Sequence, residues 1–401
     1  KKGGGGRRRA ASAAADSATT SATGITLVCR AVALFAAVAA VALAAAHFLP
    51  GRRDGAHGPE AAAKAEALRR RAIRHATAGR LDRAIPLFEA AVRASPSLGE
   101  THSNLAFAYK NAGRLRDAVD AAVAGSVAAP ADPGVWARVA SSSNFLAKRL
   151  GTVDGSSDRS SGLQRIANAA EKIRLYRQAL AAGRRALQLQ PTHFVAAFNA
   201  GMAGAGAAMV IFQDGDDHHH QQDDDHHHQQ DDDDDDDDDL RDQDAGLALA
   251  AEAEDMYAVA LRLHPNHGGV LFEAGSIAAA AYRALLRGTA GVGARAQRDA
   301  EAAVWRARAE GRYREAAAVL RAGAVPDNTD GGDAATPANA LFRVASLVYE
   351  GALADKGQDK DADADEAKGG ITVPARMAEA MALSRRATEL DPSLATAFAL
   401  L

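Results

Sequence analysis

EALRRRAIRHATAGRLDRAIPLFEAAVRASPS, residues 66–97, is followed by THSNLAFAYKNAGRLRDAVDAAVAGSVAAP, residues 101–130, and the two stretches are copies of one unit. Their prolines, Pro96 and Pro130, stand 34 residues apart. A period of that length belongs to helix–turn–helix units stacked into a solenoid. Each unit buries its apolar face only against its neighbours, so the architecture offers a surface before it offers a catalytic cleft.

The physics of the unit is visible in its spacing. Apolar or small residues at unit positions 4, 7, 8 and 11 form one face of a first helix, and those at 20, 24 and 27 one face of a second. Small residues at 8 and 20 let the two backbones approach. Proline at 32 lacks an N–H and ends the second helix. In residues 65–98 these places hold Leu68, Arg71, Ala72, His75, Ala84, Phe88, Ala91 and Pro96, with Gly79 between the helices. In 99–132 they hold His102, Leu105, Ala106, Tyr109, Ala118, Ala122, Gly125 and Pro130, with Gly113 at the turn. Arg71 departs from the apolar rule.

These residues resemble the tetratricopeptide repeat family. The resemblance implies an all-α fold, a right-handed α-solenoid, and covers roughly 65–401. A third unit starts with Trp136 and Val139, is broken by a Ser/Gly-rich insert, and resumes with Ala179, Ala186 and Pro191. A fourth opens with Ala197, Ala200, Gly201 and Gly204 and closes with Ala253, Tyr257, Ala260 and Pro265. A fifth opens with Leu271, Ala274 and Gly275. Residues 304–326 read as a sixth, with Gly311 at its turn and Ala316 and Leu320 in its second helix. A seventh runs from near Phe342 to Pro392 through Ala380 and Ala387, and Phe398 would start an eighth. The domain reading is a basic segment 1–24, a hydrophobic segment 25–50, a linker 51–60 and a solenoid 61–401. Inserts are expected near 148–168, 213–245, 324–336 and 354–373, where a solenoid tolerates extra chain.

Composition fits this frame. Apolar residues make up 47% of the 401 and aromatic residues only 5%, so the core is built of small side chains. Residues 214–244 hold 17 Asp and one basic residue, Arg241, which leaves the rest of the chain basic in spite of a net charge of −4. Cys29 is the single cysteine, which excludes a disulfide framework and a cysteine-based zinc site within one chain. The chain begins with Lys1 and ends DPSLATAFALL, which reads as the opening of a further helix.

Residues 1–24 are basic and rich in Ala, Ser and Thr, a composition that builds no core. From Ala31 to Leu49 there are 19 residues without a formal charge, long enough to cross a bilayer. Eight of them are Leu, Val or Phe, giving about −2 to −5 kcal/mol of insertion free energy before His47 is deducted. Three readings stand. A single-pass membrane anchor has its N-terminus in the cytosol, from Lys1, Lys2 and Arg7–Arg9. A signal cleaved at the small residues 42–46 gives an organelle or lumenal protein. The third is a buried solenoid helix.

Three stretches suggest chemistry. His218–His220 and His226–His228 lie among aspartates, but such a run self-repels and nothing in it fixes a ligand geometry for a metal. DKDADADEAKGG, residues 359–370, spaces Asp like a calcium loop but has Ala364 where the turn needs Gly and Gly370 where a bidentate Glu belongs. GVGARA, residues 291–296, has no strand before it and so is no dinucleotide loop. No catalytic residue, metal or cofactor is expected, nor a nucleic-acid partner.

The resemblance implies instead a ligand groove lined by the first helices at positions 2, 5, 6, 9 and 12. Those positions hold Arg69, Arg70, Asn104, Phe107, Lys110, Arg138, Asn144, Phe198, Asn199, Met202 and Phe272. Basic, amide and aromatic groups together suit an extended peptide. The set is similar to the family's carboxylate clamp at Asn104 and Arg138, with Arg69 for a lysine, but departs from it at Ile73 and Gly134. It is similar to the family's asparagine ladder at Asn104 and Asn199, broken by Arg70, Arg138 and Glu273. The expected function is a membrane-associated scaffold that binds peptides. The alternative is the non-catalytic front portion of a glycosyltransferase or hydroxylase.

Overall fold

The computed structural model describes residues 58–150, 162–222, 235–287, 292–322, 335–358 and 373–394. These form twelve α-helices and one short 3-10 turn at Pro392–Leu394; no strand occurs among the described residues. The helices are α1 (Pro59–Thr77), α2 (Leu81–Ala94), α3 (Gly99–Asn111), α4 (Leu115–Ala128), α5 (Pro133–Arg149), α6 (Gly162–Leu189), α7 (Phe194–Gln222), α8 (Asp235–Leu263), α9 (Gly268–Arg287), α10 (Val292–Arg321), α11 (Pro337–Gln358) and α12 (Val373–Leu390). The described residues from Lys64 onward form one compact unit, the solenoid.

The quoted repeat explains its own turns. Gly79 and Gly113 have φ of 72° and 76°, the left-handed region where a Cβ is costly. Both end their helix with the same pair of hydrogen bonds. Arg80 N–H donates to His75 O at 2.9 Å and Gly79 N–H to Ala76 O at 3.0 Å, and Arg114 and Gly113 donate likewise to Tyr109 and Lys110. This is the Schellman closure, which satisfies the last carbonyls of a helix. The third hairpin opens differently: Pro133 takes the first helical position and the Asp132 carboxylate caps the helix by accepting from Gly134 N–H at 2.8 Å.

The periodic small residues are the ones buried. Ala72, Ala84, Phe88, Ala106 and Ala122 are at most 2% exposed and share one core. The first helices α3, α5, α7 and α9 pack on one another in order, and each second helix packs on the first helix of the next hairpin. Ion pairs tie the second helices to each other: Arg184 with Glu252, Arg308 with Glu254 at 3.1 Å, and Arg314 with Glu379 at 2.7 Å. Two helix segments, Phe194–Gln213 and Gly268–Arg287, are long and apolar enough to cross a membrane, but most of each is buried inside the solenoid.

The helices form six hairpins, and the reading of separate fifth and sixth units is corrected. Val292–Arg321 is one continuous helix, and Gly311 lies inside it rather than at a turn. Trp305, Ala309, Tyr313 and Ala316 make an unbroken buried stripe at helical spacing across that glycine. Gly311 itself faces open space, so nothing there competes with helix. The second helix of the fifth unit is therefore α10. The segment 1–57, including the hydrophobic run 31–49, and the calcium-like stretch 359–370 lie outside the described residues. So do Phe398 and most of the Asp/His tract.

Candidate functional site

The groove-facing residues separate into three groups. At the first hairpin, Arg69 Nε donates to Glu66 Oε2 at 2.7 Å, and Arg69 Nη1 also reaches Glu100 on α3. Arg70 Nε donates to Glu66 Oε1 at 2.7 Å while most of its side chain stays exposed. Hydrogen bonds from the two arginines, Arg69 first, lower the Glu66 carboxyl to about 2. Arg69 is thus a tie between α1 and α3.

Phe198 and Phe272 form the second group, and the expectation that they line a groove is corrected. They are 4% and 5% exposed. Phe198 packs among Phe194, Tyr257 and His267 with ring centroids 6.0–6.3 Å away. Phe272 meets Tyr313 edge-on at 5.4 Å. Both occupy unit position 5, and each is covered by a tyrosine from the second helix of its own hairpin, Tyr257 on α8 and Tyr313 on α10.

The third group converges. Phe107 on α3 is 42% exposed, the most exposed aromatic ring among the described residues. Lys110 Nζ lies 5.7 Å from its centroid and 4.9 Å from that of Phe145 on α5. The Arg138 guanidinium is 5.1 Å from Phe107, and that of Arg149 is 5.9 Å from Phe145. Cations and rings therefore alternate across α3 and α5, each cation held over an aromatic face. Asn104 lies on the same helix as Phe107, and its Nδ2 is buried with no hydrogen-bond partner among the described residues. Phe145 escaped the sequence reading because unit positions were counted only to 12. Helix α5 continues past that point, and a ring one turn after Ser141 was the available signal.

Next to this cluster, Ser141, Asn144, Phe145, Lys148, Asn199 and Met202 line a shallow pocket between α5 and α7. Asn144 Nδ2 donates to the backbone oxygen of Asn199 at 2.7 Å, which joins the two helices. Asn199 Nδ2 donates to Val195 O at 2.8 Å on its own helix. That donor is spent on the scaffold, which is not how a rung of an asparagine ladder would use it. Beyond α7, the Glu273 carboxyl is raised by burial, an effect partly offset by Lys148. No grouping of His, Cys, Asp and Glu suited to a metal occurs among the described residues.

Residues 75–141, from the end of α1 into α5, match the family model for the tetratricopeptide repeat. This stretch carries tetratricopeptide repeats. No curated protein matches the chain. Among solved structures, a MamA protein is 16% identical, with 64% of this chain and 94% of that one covered and a TM-score of 0.36. YrrB, described as a TPR protein with an unusual peptide-binding site, is 14% identical, covering 64% and 90%, with a TM-score of 0.35. PilF of Pseudomonas aeruginosa is 13% identical, covering 83% and 94%, with a TM-score of 0.39. At such TM-scores these likenesses carry nothing about what this chain binds. The tetratricopeptide repeats place the cation–ring cluster on the face shared by successive first helices.

Proposed function

We propose that this protein is a non-catalytic interaction scaffold that holds a peptide segment on the face of α3, α5 and α7, tethered to a membrane through residues 31–49. Tetratricopeptide repeats imply protein–protein interaction. The single observation that carries the finer reading is Phe107, a large ring left exposed between Lys110 and Arg138. An exposed aromatic beside cations and an unpartnered amide offers the anchors and donors that peptide recognition uses. The peptide's apolar side chain lies on Phe107 and Met202, and its backbone or acidic groups meet Asn104, Lys110 and Arg138.

The test is a peptide-library screen against the wild-type chain and the double variant Asn104→Ala plus Arg138→Ala, with fold checked by circular dichroism. Peptides that bind the wild type and lose roughly tenfold or more in the variant support the reading. Unchanged affinity, or a library without binders, defeats it.

A further inference from the structure

We propose that the exposed face of the first hairpin, from Lys64 to Arg83, lies on an anionic lipid surface beside the membrane tether. This rests on the reading of residues 31–49 as the tether and adds the face that the solenoid turns to the bilayer.

The first support is the make-up of that face. Ala65 and Ala72 mark the buried side of α1, and Lys64, Arg70, Arg71 and Arg74 stand exposed. Arg80 at the turn and Arg83 on α2 are exposed as well. Only two acids fall within this stretch, Glu66 and Asp82. Glu66 is held by Arg69 and Arg70, and Asp82 lies 4.0 Å from Arg83. The side chains of Arg71, Arg74 and Arg80 have no hydrogen-bond or ion-pair partner among the described residues. These cations form one patch: after desolvation, Arg80, Arg71, Arg83 and Arg74 all lower the pKa of a single imidazole, His75. Such a concentration of like charge draws an external anion.

The second support decides the source of that anion. Residues 59–83 contain no Phe, Tyr or Trp. The face therefore has no ring on which the bases of a single-stranded nucleic acid would stack. Guanidinium groups match phosphate in paired hydrogen bonds. Each Lys or Arg held at an anionic membrane strengthens binding about fivefold. The tether brings the membrane close. Ten peptide links join Leu49 to Pro59 and span at most about 36 Å, whereas α1 is about 28 Å long. The link is long enough for a bilayer that holds 31–49 to lie along the whole of α1. Lipid then meets this face at a higher effective concentration than a soluble polyanion does.

The test places a fluorophore on the full chain at Ala78→Cys, in a Cys29→Ser background, and measures energy transfer to an acceptor-labelled lipid in nanodiscs. Ala78 is exposed beside the turn. The discs are phosphatidylcholine alone or with about one third phosphatidylserine. Transfer is higher on the anionic discs at about 20 mM salt and falls to the neutral level at about 500 mM. Changing Arg71, Arg74, Arg80 and Arg83 together to Gln makes transfer equal on the two discs. Equal transfer for the parent chain, or a difference that survives the four changes, overturns the proposal. Should the fourfold variant fail to fold, Arg71→Gln with Arg80→Gln is read in the same way. A single-stranded oligonucleotide that binds the parent and not the variant, with no response to lipid, assigns the face to nucleic acid and also overturns the proposal. A chain that does not enter the discs defeats the tether reading alone, and flotation with vesicles of the same lipids then decides. Salt-sensitive binding to the anionic vesicles, weakened roughly tenfold or more by the four changes, supports the face, and no binding overturns it.

Discussion

The ring of Tyr257 lies directly on the backbone of Gly201: a Cβ built on that glycine would sit 2.6 Å from Tyr257 Cδ1. Tyr313 meets Gly275 in the same way, at 2.9 Å. The two contacts repeat one relationship between unit positions 8 and 24, and both tyrosines are at most 2% exposed. Gly201→Ala therefore forces Tyr257 out of its seat, and overpacking of this kind costs about 1–3 kcal/mol. Chemical denaturation should show a lower midpoint, and an unchanged midpoint would mean that the hairpin relaxes freely.

Gly311→Ala should act in the opposite direction. The glycine is helical, exposed and clear of neighbours, so alanine removes only the backbone entropy of glycine. A gain of about 0.5–1 kcal/mol is expected. A loss would place Gly311 at a left-handed turn and return α10 to two helices.

Stability should fall as the solution is acidified below neutrality. His102 is buried, its Nε2 lies 2.9 Å from Pro96 O, and burial lowers its pKa from the ordinary 6.5. Its folded pKa lies below its unfolded one, so the unfolded chain binds more protons as pH drops. The contribution is whole above about 6.5 and is lost as pH falls from there through the folded value. His75, lowered by desolvation and then by nearby arginines, acts in the same direction. Melting temperatures between pH 7.5 and 5 should show the fall, and His102→Gln should shrink it. An equal slope in the variant would remove His102 as a cause.

Tyr109→Phe should destabilise the second hairpin by about 1 kcal/mol. The Tyr109 hydroxyl donates to Glu89 Oε1 at 2.7 Å, from α3 to α2. Burial, and then that bond, push the phenol up to about 12, so it remains a donor at any ordinary pH. Equilibrium denaturation of the single variants and of Tyr109→Phe with Glu89→Gln checks the coupling. Additive losses would show that the bond contributes nothing.

If residues 31–49 anchor the chain, alkaline carbonate should leave it in the membrane pellet, and Leu34→Arg with Leu43→Arg should release it. The apolar run is only marginally long and hydrophobic, so two central arginines, at about 2.5–3.5 kcal/mol each, outweigh its insertion free energy. Release of the wild type would exclude a spanning segment.

The sequence by itself determined the hairpins, since their causes are local. Gly79 and Gly113 close helices, Pro96 and Pro130 end them, and Ala72, Ala84, Ala106 and Ala118 mark the buried faces within one unit. Tertiary structure decided what depends on a neighbouring unit. Phe107 and Phe198 look alike in the sequence, one at position 9 and one at position 5, yet Tyr257 and His267 cover Phe198 while Phe107 stays open. Ala309 and Tyr313 likewise gain their meaning from α9, which draws one helix through Gly311 although the local wording resembles a turn. A helix carries its periodicity in its own chain, whereas the exposure of a given face is settled only by what packs against it.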